Sequence, residues 1–559
     1  MAIRLKDKEF RLHKVTPVDF KTIEMDRVLT NLFARIFHNG HESRLSRDEK
    51  KLLTIETFYE GFLQDAETFN GFDTGNNQEI AKRWIETHLL DLVSRGKAKQ
   101  AVASPRPLHG FTYRFRNTRH CRDYGNATLI YELLKNARNG AGDTALKLLR
   151  DYFFTGIDPA TGKVRKDQSV DVEAQALVNA LNNKVVTQDA PKQNTRTVHQ
   201  PVCVGSADLF TNDILGLLQY RDVIPRTVMV DYLKILIAFH LALYQLRLIK
   251  LLPRLVLKKG KESICEVKNC PVEAIKKSQP FGSCPHQIGL FLDVKGQPGG
   301  RIAELANRSA DTHYRRIPNY IKAGFLSRKL DEMGSYLLKF GKLPGMKKKE
   351  LTLSEVLGLQ DNAYKKERDY FFQKMLDGVV EQATDDNGDG DAIHPEIQQV
   401  LDWKLDPMET FIECLSVVRG DYHKKFITNY LDSTMLKNRP GALVAQTRAR
   451  GAPRRFVLDT RLLEVLLQLA VLKYEPGTGY QTQEIRIDEL LDFLRDRYGL
   501  HIDSLPQGEG FDKPSIQDNE ALRENREAFK DKLRDIGFFR DLSDAYITQN
   551  VSPRYRISQ

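Results

Sequence analysis

The stretch that most constrains the fold is an apolar block in residues 209–257, and its centre, residues 232–246, reads YLKILIAFHLALYQL. Apolar side chains surround this segment on nearly every side, and a helix of that kind is buried in a protein core or in a membrane. The centre carries Lys234, His240 and Gln245, and it is shorter than the roughly 20 residues that a membrane span requires. We therefore predict a buried helix at the centre of the protein, with helix breaks at Pro225 and Pro253.

The length and the cysteine content limit the class of protein. A chain of 559 residues corresponds to about three or four domains, because single cores rarely exceed roughly 250 to 300 residues. The chain has six cysteines, and their spacing does not suggest a disulfide framework, which favours a reducing compartment. The first residues are charged and lack the apolar segment of a secretory signal. We expect a cytoplasmic protein that does not associate with a membrane.

The net charge favours anionic partners. Lys and Arg number 85 and Asp and Glu number 74, which gives a net charge of +11 and a pI near 9.1. A basic surface of this kind attracts polyanions such as nucleic acids. The alternative is that a large protein is mildly basic without a functional reason.

Three of the cysteines lie close to one histidine, in the set Cys265, Cys270, Cys284 and His286. Thiolate and imidazole are the ligands that zinc prefers in closed tetrahedral sites. Four residues separate the first two cysteines, which is a common spacing, whereas a single residue separates Cys284 from His286. The pattern predicts a structural zinc ion without an open position for water. The alternative is that three reduced cysteines and a histidine are merely neighbours in the sequence.

The N-terminal part shows helical periodicity, followed by one segment with the periodicity of a strand. In residues 111–116, FTYRFR, aromatic residues alternate with Thr112, Arg114 and Arg116. This alternation predicts a half-buried strand with its arginines in solvent. Arg119 and Arg122 follow, and together with the aromatics they suit phosphate contact or base stacking. An ordinary solvated surface strand is the alternative.

A basic segment precedes the last domain in residues 436–455, LKNRPGALVAQTRARGAPRR. Its composition predicts an exposed connector. Its arginines could track a phosphate backbone, or they could belong to a linker that is neutralised only by counterions. The candidate nucleic-acid contacts in this connector are Arg448, Arg450, Arg454 and Arg455.

The last hundred residues predict three helices, in residues 461–472, 487–498 and 519–536, followed by two strands around a polar turn. This order is that of a winged helix-turn-helix, which resembles DNA-binding domains that place the third helix in the major groove. Winged helices also serve as protein–protein modules. The predicted DNA contacts are Arg523, Arg526, Lys530 and Arg534 on the third helix, and Arg554 and Arg556 near the wing.

The predicted organisation is a mainly α, multidomain protein with small β elements. Residues 1–182 form a helical domain with a basic strand, residues 201–350 a central helical core with the zinc segment, residues 351–435 a helical segment with an acidic loop, and residues 456–559 the winged-helix-like domain. The acidic loop, residues 385–396, matches a calcium-loop pattern, but we interpret it as a solvated linker because no second loop pairs with it.

The chain resembles non-ATPase accessory proteins of bacterial multi-gene anti-phage systems. The resemblance lies in this organisation, in the absence of Walker motifs and in the general sequence character of residues 4–29 and 456–472. The resemblance is to methylation-associated defence in particular. It implies a bacterial protein that acts on phage DNA or together with other proteins of the same system.

Three functions fit the sequence. The first is a non-catalytic component that binds duplex DNA, and the second is a scaffold that holds partner proteins. The third is a metal-dependent nuclease, for which Asp158, Asp385 and Asp389 are acids but lack a convincing arrangement of strand, acid and lysine. We favour the first, and we predict no catalytic residue and no small-molecule substrate.

Overall fold

The computed structural model describes residues 9–43, 54–63, 69–94, 100–156, 171–181, 194–259, 287–343, 350–385, 395–511, 513–540 and 550–557. Within these residues the protein is mainly α-helical with short strands, as predicted. A single large cluster of buried apolar side chains extends from Phe10 to Val551. The domain boundaries stay predictions.

The N-terminal part contains six helices and one two-stranded hairpin in the described residues. These elements are α1 Met25–Phe37, α2 Ile55–Phe62, α3 Gly75–Trp84, β1 Leu90–Val93, β2 Ala101–Pro105, α4 Asn126–Lys135, α5 Ala141–Phe153 and α6 Val172–Leu181. Strands β1 and β2 are antiparallel. Helix α1 packs against α4 and α5, and both of those pack against α7, Val204–Leu218.

The strand predicted for residues 111–116 is wrong, because a 3₁₀ helix, Gly110–Phe115, occupies this position. In a helix of three residues per turn, side chains at i and i+3 lie above one another. The Arg114 guanidinium accordingly lies 4.2 Å from the centroid of the Phe111 ring. Arg114 and Arg116 are both buried, and Arg116 donates to the Ser43 carbonyl at 3.0 Å. These two arginines therefore belong to the core and do not face solvent.

The predicted central helix is confirmed and is longer than expected. Helix α7, Val204–Leu218, precedes α8, Arg226–Leu257, for which Pro225 is the N-terminal capping residue. The predicted break at Pro253 is wrong, because α8 continues through it to Leu257. Helix α8 is long and apolar enough to cross a membrane, but 94% of its most apolar window is buried inside the protein. It is the core helix that the sequence predicts.

Six helices of the second half of the chain follow α8 in the described residues, before the C-terminal part. They are α9 Arg301–Tyr314, α10 Ile317–Lys339, α11 Leu353–Gly358, α12 Lys365–Asp385, α13 Pro395–Asp402 and α14 Pro407–Thr434. Helices α10 and α14 pack against each other and against α8. The sequence of residues 288–302, IGLFLDVKGQPGGRI, predicts a strand, a glycine-rich turn and a returning strand, and this prediction is wrong. Strand β3, Leu290–Phe291, is followed by a glycine-rich turn and then by α9, whose Ile302, Leu305 and Ala306 are buried at helical spacing.

The three predicted C-terminal helices are confirmed to within a few residues. The elements of this part are β4 Val444–Ala445, β5 Arg455–Phe456, α15 Thr460–Val471, β6 Leu472–Glu475, β7 Gly479–Thr482, β8 Ile485–Arg486, α16 Ile487–Tyr498, β9 Leu500–His501, α17 Ile516–Asp535, β10 Phe539–Arg540 and β11 Asn550–Val551. Strand β9 pairs in parallel with β3, and α15 packs against α7 and α8. The C-terminal elements thus share the core of the central helices.

A buried polar cluster joins the C-terminal part to that core. The Asp213 carboxylate accepts hydrogen bonds from the Tyr498 hydroxyl at 2.8 Å, from Arg497 Nε at 3.1 Å and from His240 Nε2 at 2.9 Å. Burial alone would raise the pKa of Asp213, but the charge of Arg497 and the bond from His240 outweigh it and lower that pKa. A buried carboxylate needs such partners, so the cluster holds α16 in one position against α7 and α8.

Candidate nucleic-acid interface

The basic connector is an ordered hairpin in the structure. Val444 pairs with Phe456 and Ala445 with Arg455 in an antiparallel ladder. Val444 and Phe456 are both buried, and the Phe456 carbonyl accepts a hydrogen bond from the Asp293 amide at 2.9 Å. The root of the hairpin is therefore fixed to the core, and residues 446–454 form the loop that extends from it.

Arg454 lies at the base of the loop and is committed to an internal ion pair. Its guanidinium donates two hydrogen bonds to Asp432, which is 6% exposed. Lys437 Nζ lies 2.5 Å from the same carboxylate, and the Tyr314 hydroxyl donates to it at 3.1 Å. Burial would raise the pKa of Asp432, but the hydrogen bonds from Arg454 and Lys437 outweigh it and lower the pKa. Arg454 thus anchors the hairpin.

Arg455 is a second anchor. Its Nη2 donates to the Gly296 carbonyl at 2.7 Å, and its Nε lies 3.3 Å from the carboxylate of Asp293. Asp293 is buried, with 1% exposure. The positive charge of Arg455 is therefore balanced inside the protein.

Arg448 and Arg450 differ from the two anchors. Both are exposed near the tip of the loop. Within the described part of the chain, neither side chain has an ion pair or a hydrogen bond. The hairpin therefore holds two cations with open donor positions at its tip and two neutralised ones at its base.

A cleft of about 400 Å³ lies between this hairpin and α9. Its walls are Asn307, Arg308, Asp311 and Tyr314 on the helix side, and Ala452, Pro453 and Arg454 on the hairpin side. The Arg308 guanidinium lies 4.7 Å from the centroid of the Phe511 ring and donates to the Gly510 carbonyl. The cleft thus has a mixed lining in which arginines predominate over the single acid.

The predicted basic stripe on α17 is largely offset by acids. Lys530 pairs with Glu527 and Arg534 with Asp531, each at 2.7 Å and one turn apart. Arg526 bonds to Asp488 and lies 3.5 Å from Asp503. Arg523 is exposed, and its side chain has no such partner among the described residues. Glu527 and Asp531 lie on the same helix as the cations, whereas Asp488 and Asp503 are brought to Arg526 by tertiary packing.

One side of α17 packs against the rest of the protein. Asn525 Nδ2 donates to the carbonyls of Leu292 and Ile502 at 2.8 Å, and its Oδ1 accepts from the Val294 amide at 3.0 Å. Arg301 on α9 bonds to Asp518 at 2.8 Å. Among the described residues, the opposite side of the helix, which includes Arg523, is exposed.

Arg554 and Arg556 are loosely paired and more than half exposed. The distance from Arg554 to Glu464 is 3.7 Å, and the distance from Arg556 to Glu484 is 3.6 Å. Exposed pairs at such distances are weak. The cationic groups of both residues can therefore exchange their partners for phosphate at little cost.

The predicted zinc ligands Cys265, Cys270, Cys284 and His286 lie outside the described residues. So do Asp158 and Asp389, which the nuclease hypothesis would use. Among the residues that the structure describes, no group of three or more His, Cys, Asp or Glu side chains could hold a metal ion. The remaining cysteines, Cys121, Cys203 and Cys414, are free thiols.

Comparison with known proteins identifies the family. A family model described as methylation-associated defense system protein MAD7 matches residues 5–555, which is nearly the whole chain. No curated protein and no solved structure matched the chain in the corresponding comparisons. The match agrees with the resemblance noted in the sequence. The chain therefore belongs to the MAD7 family of methylation-associated defense system proteins.

Proposed function

We propose that this component of a methylation-associated defence system binds duplex DNA in the cytoplasm and does no chemistry on it. The observation that carries the proposal is the hairpin of residues 444–456. Arg454 and Arg455 tie its base to buried acids, while Arg448 and Arg450 stand exposed at its tip without partners in the described residues. This division suits a DNA-binding surface in which the base of the hairpin is held rigidly and its tip carries the positive charge.

Rigidity matters because binding a phosphate backbone costs conformational entropy when the cations are on a flexible linker. An anchored tip has already lost that entropy during folding. Each phosphate that an arginine neutralises releases counterions from the DNA, and this release favours binding without regard to base sequence. The hairpin is thus suited to contact the DNA backbone.

The order of the C-terminal elements supports a winged-helix role for residues 460–557. Helix α15, strand β8, helix α16, strand β9, helix α17 and strands β10 and β11 follow one another, with the β6–β7 hairpin inserted after α15 and with β9 paired to β3 outside this unit. Strand β11 lies between β8 and β10 in one antiparallel sheet. In a winged helix the strand after the wing likewise lies between the other two. We propose that Arg523, Arg554 and Arg556 provide additional phosphate contacts from this unit.

The paired charges on α17 limit what this helix would read. Arg526, Lys530 and Arg534 are each bonded to an acid. The free energy needed to break these bonds would offset the free energy gained from contact with the edge of a base. We therefore expect backbone contacts to dominate, with weak dependence on base sequence and strong dependence on salt.

The test is fluorescence anisotropy of a labelled duplex with the full chain at several salt concentrations. The double variant Arg448→Ala and Arg450→Ala should weaken binding and lower the slope of log K against log salt by about two, because about 0.9 is lost per phosphate contact. The matched control is Arg83→Ala with Lys374→Ala, which removes the same charge from exposed positions on α3 and α12. The control should leave the slope unchanged.

Equal losses in the two double variants would mean that only net charge matters, and the hairpin would be rejected as the site. Absence of duplex binding by the wild-type protein would reject the function itself. Deleting residues 436–559 is a poor test, because β9 pairs with β3 and α15 packs against α7 and α8. Such a truncation removes part of the core.

A scaffolding role is a second candidate, favoured by two exposed aromatic residues at the C-terminal end of α10. Tyr336 and Phe340 are 38% and 58% exposed, and their ring centroids are 4.6 Å apart. Exposed aromatic clusters are typical of protein interfaces. A stable complex with another protein of the system, formed without duplex affinity and lost in the Phe340→Ser variant, would favour this role over DNA binding.

We also infer a structural zinc ion bound by Cys265, Cys270, Cys284 and His286, on the basis of their sequence spacing alone. Metal analysis of the purified protein should give one equivalent of zinc. Cys270→Ser and Cys284→Ser should each remove it and reduce solubility, because such sites contribute to folding. A metal-free protein of full stability would refute this inference.

A further inference from the structure

We infer that an open cavity between the N-terminal segment and α14 binds a single nucleotide, with its base on the Arg419–Tyr422 stack and its phosphate near Arg419 and Lys21. The cavity has a volume of about 300 Å³ and is bounded by residues 9–21 on one side and by residues 419–426 of α14 on the other. The inference does not rest on the duplex-binding proposal, since the two sites share no residue.

The first observation is an aromatic wall that remains accessible. Tyr422 and Phe426 lie one turn apart on α14, with ring centroids 4.7 Å apart. Tyr422 is 49% exposed, whereas most large aromatic residues of the protein are buried. The Arg419 guanidinium lies 4.3 Å from the centroid of the Tyr422 ring. Nucleobases stack readily on aromatic rings and on guanidinium planes, so a base can extend this stack.

The second observation is that Arg419 has unused hydrogen-bonding capacity. Its Nε is covered by protein and has no hydrogen-bond partner in the described part of the chain. No carboxylate of the described residues forms an ion pair with it. The other two nitrogens of this guanidinium are not among the covered atoms, so an anionic ligand in the cavity can accept hydrogen bonds from them.

The other charged side chains of the cavity wall form ion pairs with one another. Arg11 bonds to Glu9 through Nε at 2.8 Å and to the Val18 carbonyl at 3.0 Å, and it lies 3.3 Å from Asp19. Lys21 is 48% exposed and lies 3.5 Å from Asp19. Because Arg11 occupies the two acids, Arg419 and Lys21 are the cations that can meet an anion here.

These features select one chemical class of ligand. A metal ion would need the carboxylates that Arg11 already holds, and an apolar ligand would leave Arg419 unsatisfied. An isolated phosphate would not use the aromatic wall. The volume lies at the lower end of the roughly 300–1,000 Å³ of small-molecule sites, which suits one base with one phosphate. Such a nucleotide could be a free molecule or one residue of a single strand.

The test is isothermal titration calorimetry of the full chain with deoxyadenosine monophosphate, deoxyadenosine and inorganic phosphate. We expect the nucleotide to bind at least about 10-fold more tightly than either part, because stacking and charge both contribute. Arg419→Gln and Tyr422→Ala should each weaken it about 10-fold, and Tyr422→Phe should retain binding because it keeps the ring. Lys374→Ala, an exposed cation on α12, is the matched control and should have no effect.

A second arm uses a short single-stranded oligonucleotide. Tighter binding than the monophosphate identifies a single strand as the natural source, and equal binding identifies the free nucleotide. The Arg448→Ala and Arg450→Ala variant should bind the monophosphate normally, which separates this site from the hairpin. Phosphate binding as tight as that of the nucleotide, no binding at millimolar concentration, or a Tyr422→Ala variant with unchanged affinity and an intact thermal transition would each overturn the inference.

Discussion

Arg454 donates hydrogen bonds from Nε at 2.8 Å and from Nη2 at 2.9 Å to the two carboxylate oxygens of Asp432. The two residues lie 22 positions apart, one at the base of the hairpin and the other near the end of α14. The pair is bidentate and largely buried, which is the geometry in which an arginine–carboxylate bond is strongest. It fixes the direction in which the hairpin leaves the core.

Asp432→Asn should lower the free energy of unfolding by about 2 kcal/mol, because the partly buried cations Arg454 and Lys437 would lose their shared buried counterion. Urea denaturation at pH 7 measures this loss. Since the pKa of Asp432 is lowered in the folded protein, its contribution is present above the ordinary carboxyl pKa of about 4 and is lost as the pH falls below it. The control Asp531→Asn removes an exposed partner of Arg534 and should cost within about 0.5 kcal/mol. Equal losses in both variants would contradict the anchor role.

Two buried histidines should make the protein less stable in mild acid. Burial lowers the pKa of His109 and of His313 to about 4. His109 Nδ1 accepts from the Phe111 amide at 3.3 Å, and Nε2 donates to the Thr155 carbonyl at 2.9 Å, so the ring is used in its neutral form. His313 Nε2 donates to the Gly289 carbonyl at 3.0 Å.

The unfolded chain binds a proton at each of these histidines below about pH 6.5, whereas the folded protein binds it only near pH 4. Unfolding therefore takes up protons in this interval, and the free energy of unfolding should fall as the pH is lowered from 7 to 5. The limiting slope is about 1.4 kcal/mol per pH unit for each histidine. Urea denaturation at several pH values between 7 and 5 measures this slope. The His109→Gln variant should have a slope that is smaller by the contribution of one histidine. A stability that does not change between pH 7 and pH 5 would show that the rings are not buried in neutral form.

Gly499 should tolerate no side chain. It ends α16 with φ of +78°, and an added Cβ would lie 1.9 Å from the Ile288 carbonyl oxygen. Its own carbonyl accepts the Leu290 amide at 2.8 Å, where β9 meets β3. Gly499→Ala should therefore cost at least about 3 kcal/mol, from backbone strain and the displaced strand pair.

Gly508 is the matched control for this substitution. Its φ is +68°, but nothing lies within 4 Å of an added Cβ, so alanine there should cost only the roughly 1–2 kcal/mol of a left-handed residue. Thermal unfolding of both variants measures the difference. If the two glycines prove equally sensitive, the close approach of β9 to β3 does not limit this position.

Local sequence patterns predicted the helices well. The apolar block identified α8, and amphipathic spacing identified α15, α16 and α17 to within three residues. The strand prediction for residues 111–116 failed because this segment is a 3₁₀ helix that is buried on every side and in which Arg114 stacks on Phe111. The hairpin prediction for residues 288–302 failed because the single short strand Leu290–Phe291 pairs with Leu500 and His501, which lie far later in the chain. Long-range pairing of this kind leaves no local pattern.

The sequence by itself determined that the protein is mainly helical, that residues 232–246 are buried, and that the chain resembles a methylation-associated defence component. These properties depend on the periodicity and the character of neighbouring residues. Only the tertiary structure decided which cations are left for a ligand. Arg448 and Arg454 look alike in the sequence, but folding brings Asp432 to Arg454 and no described acid to Arg448. A cation is neutralised by whichever carboxylate lies within about 4 Å, and that distance is set by the packing of distant segments.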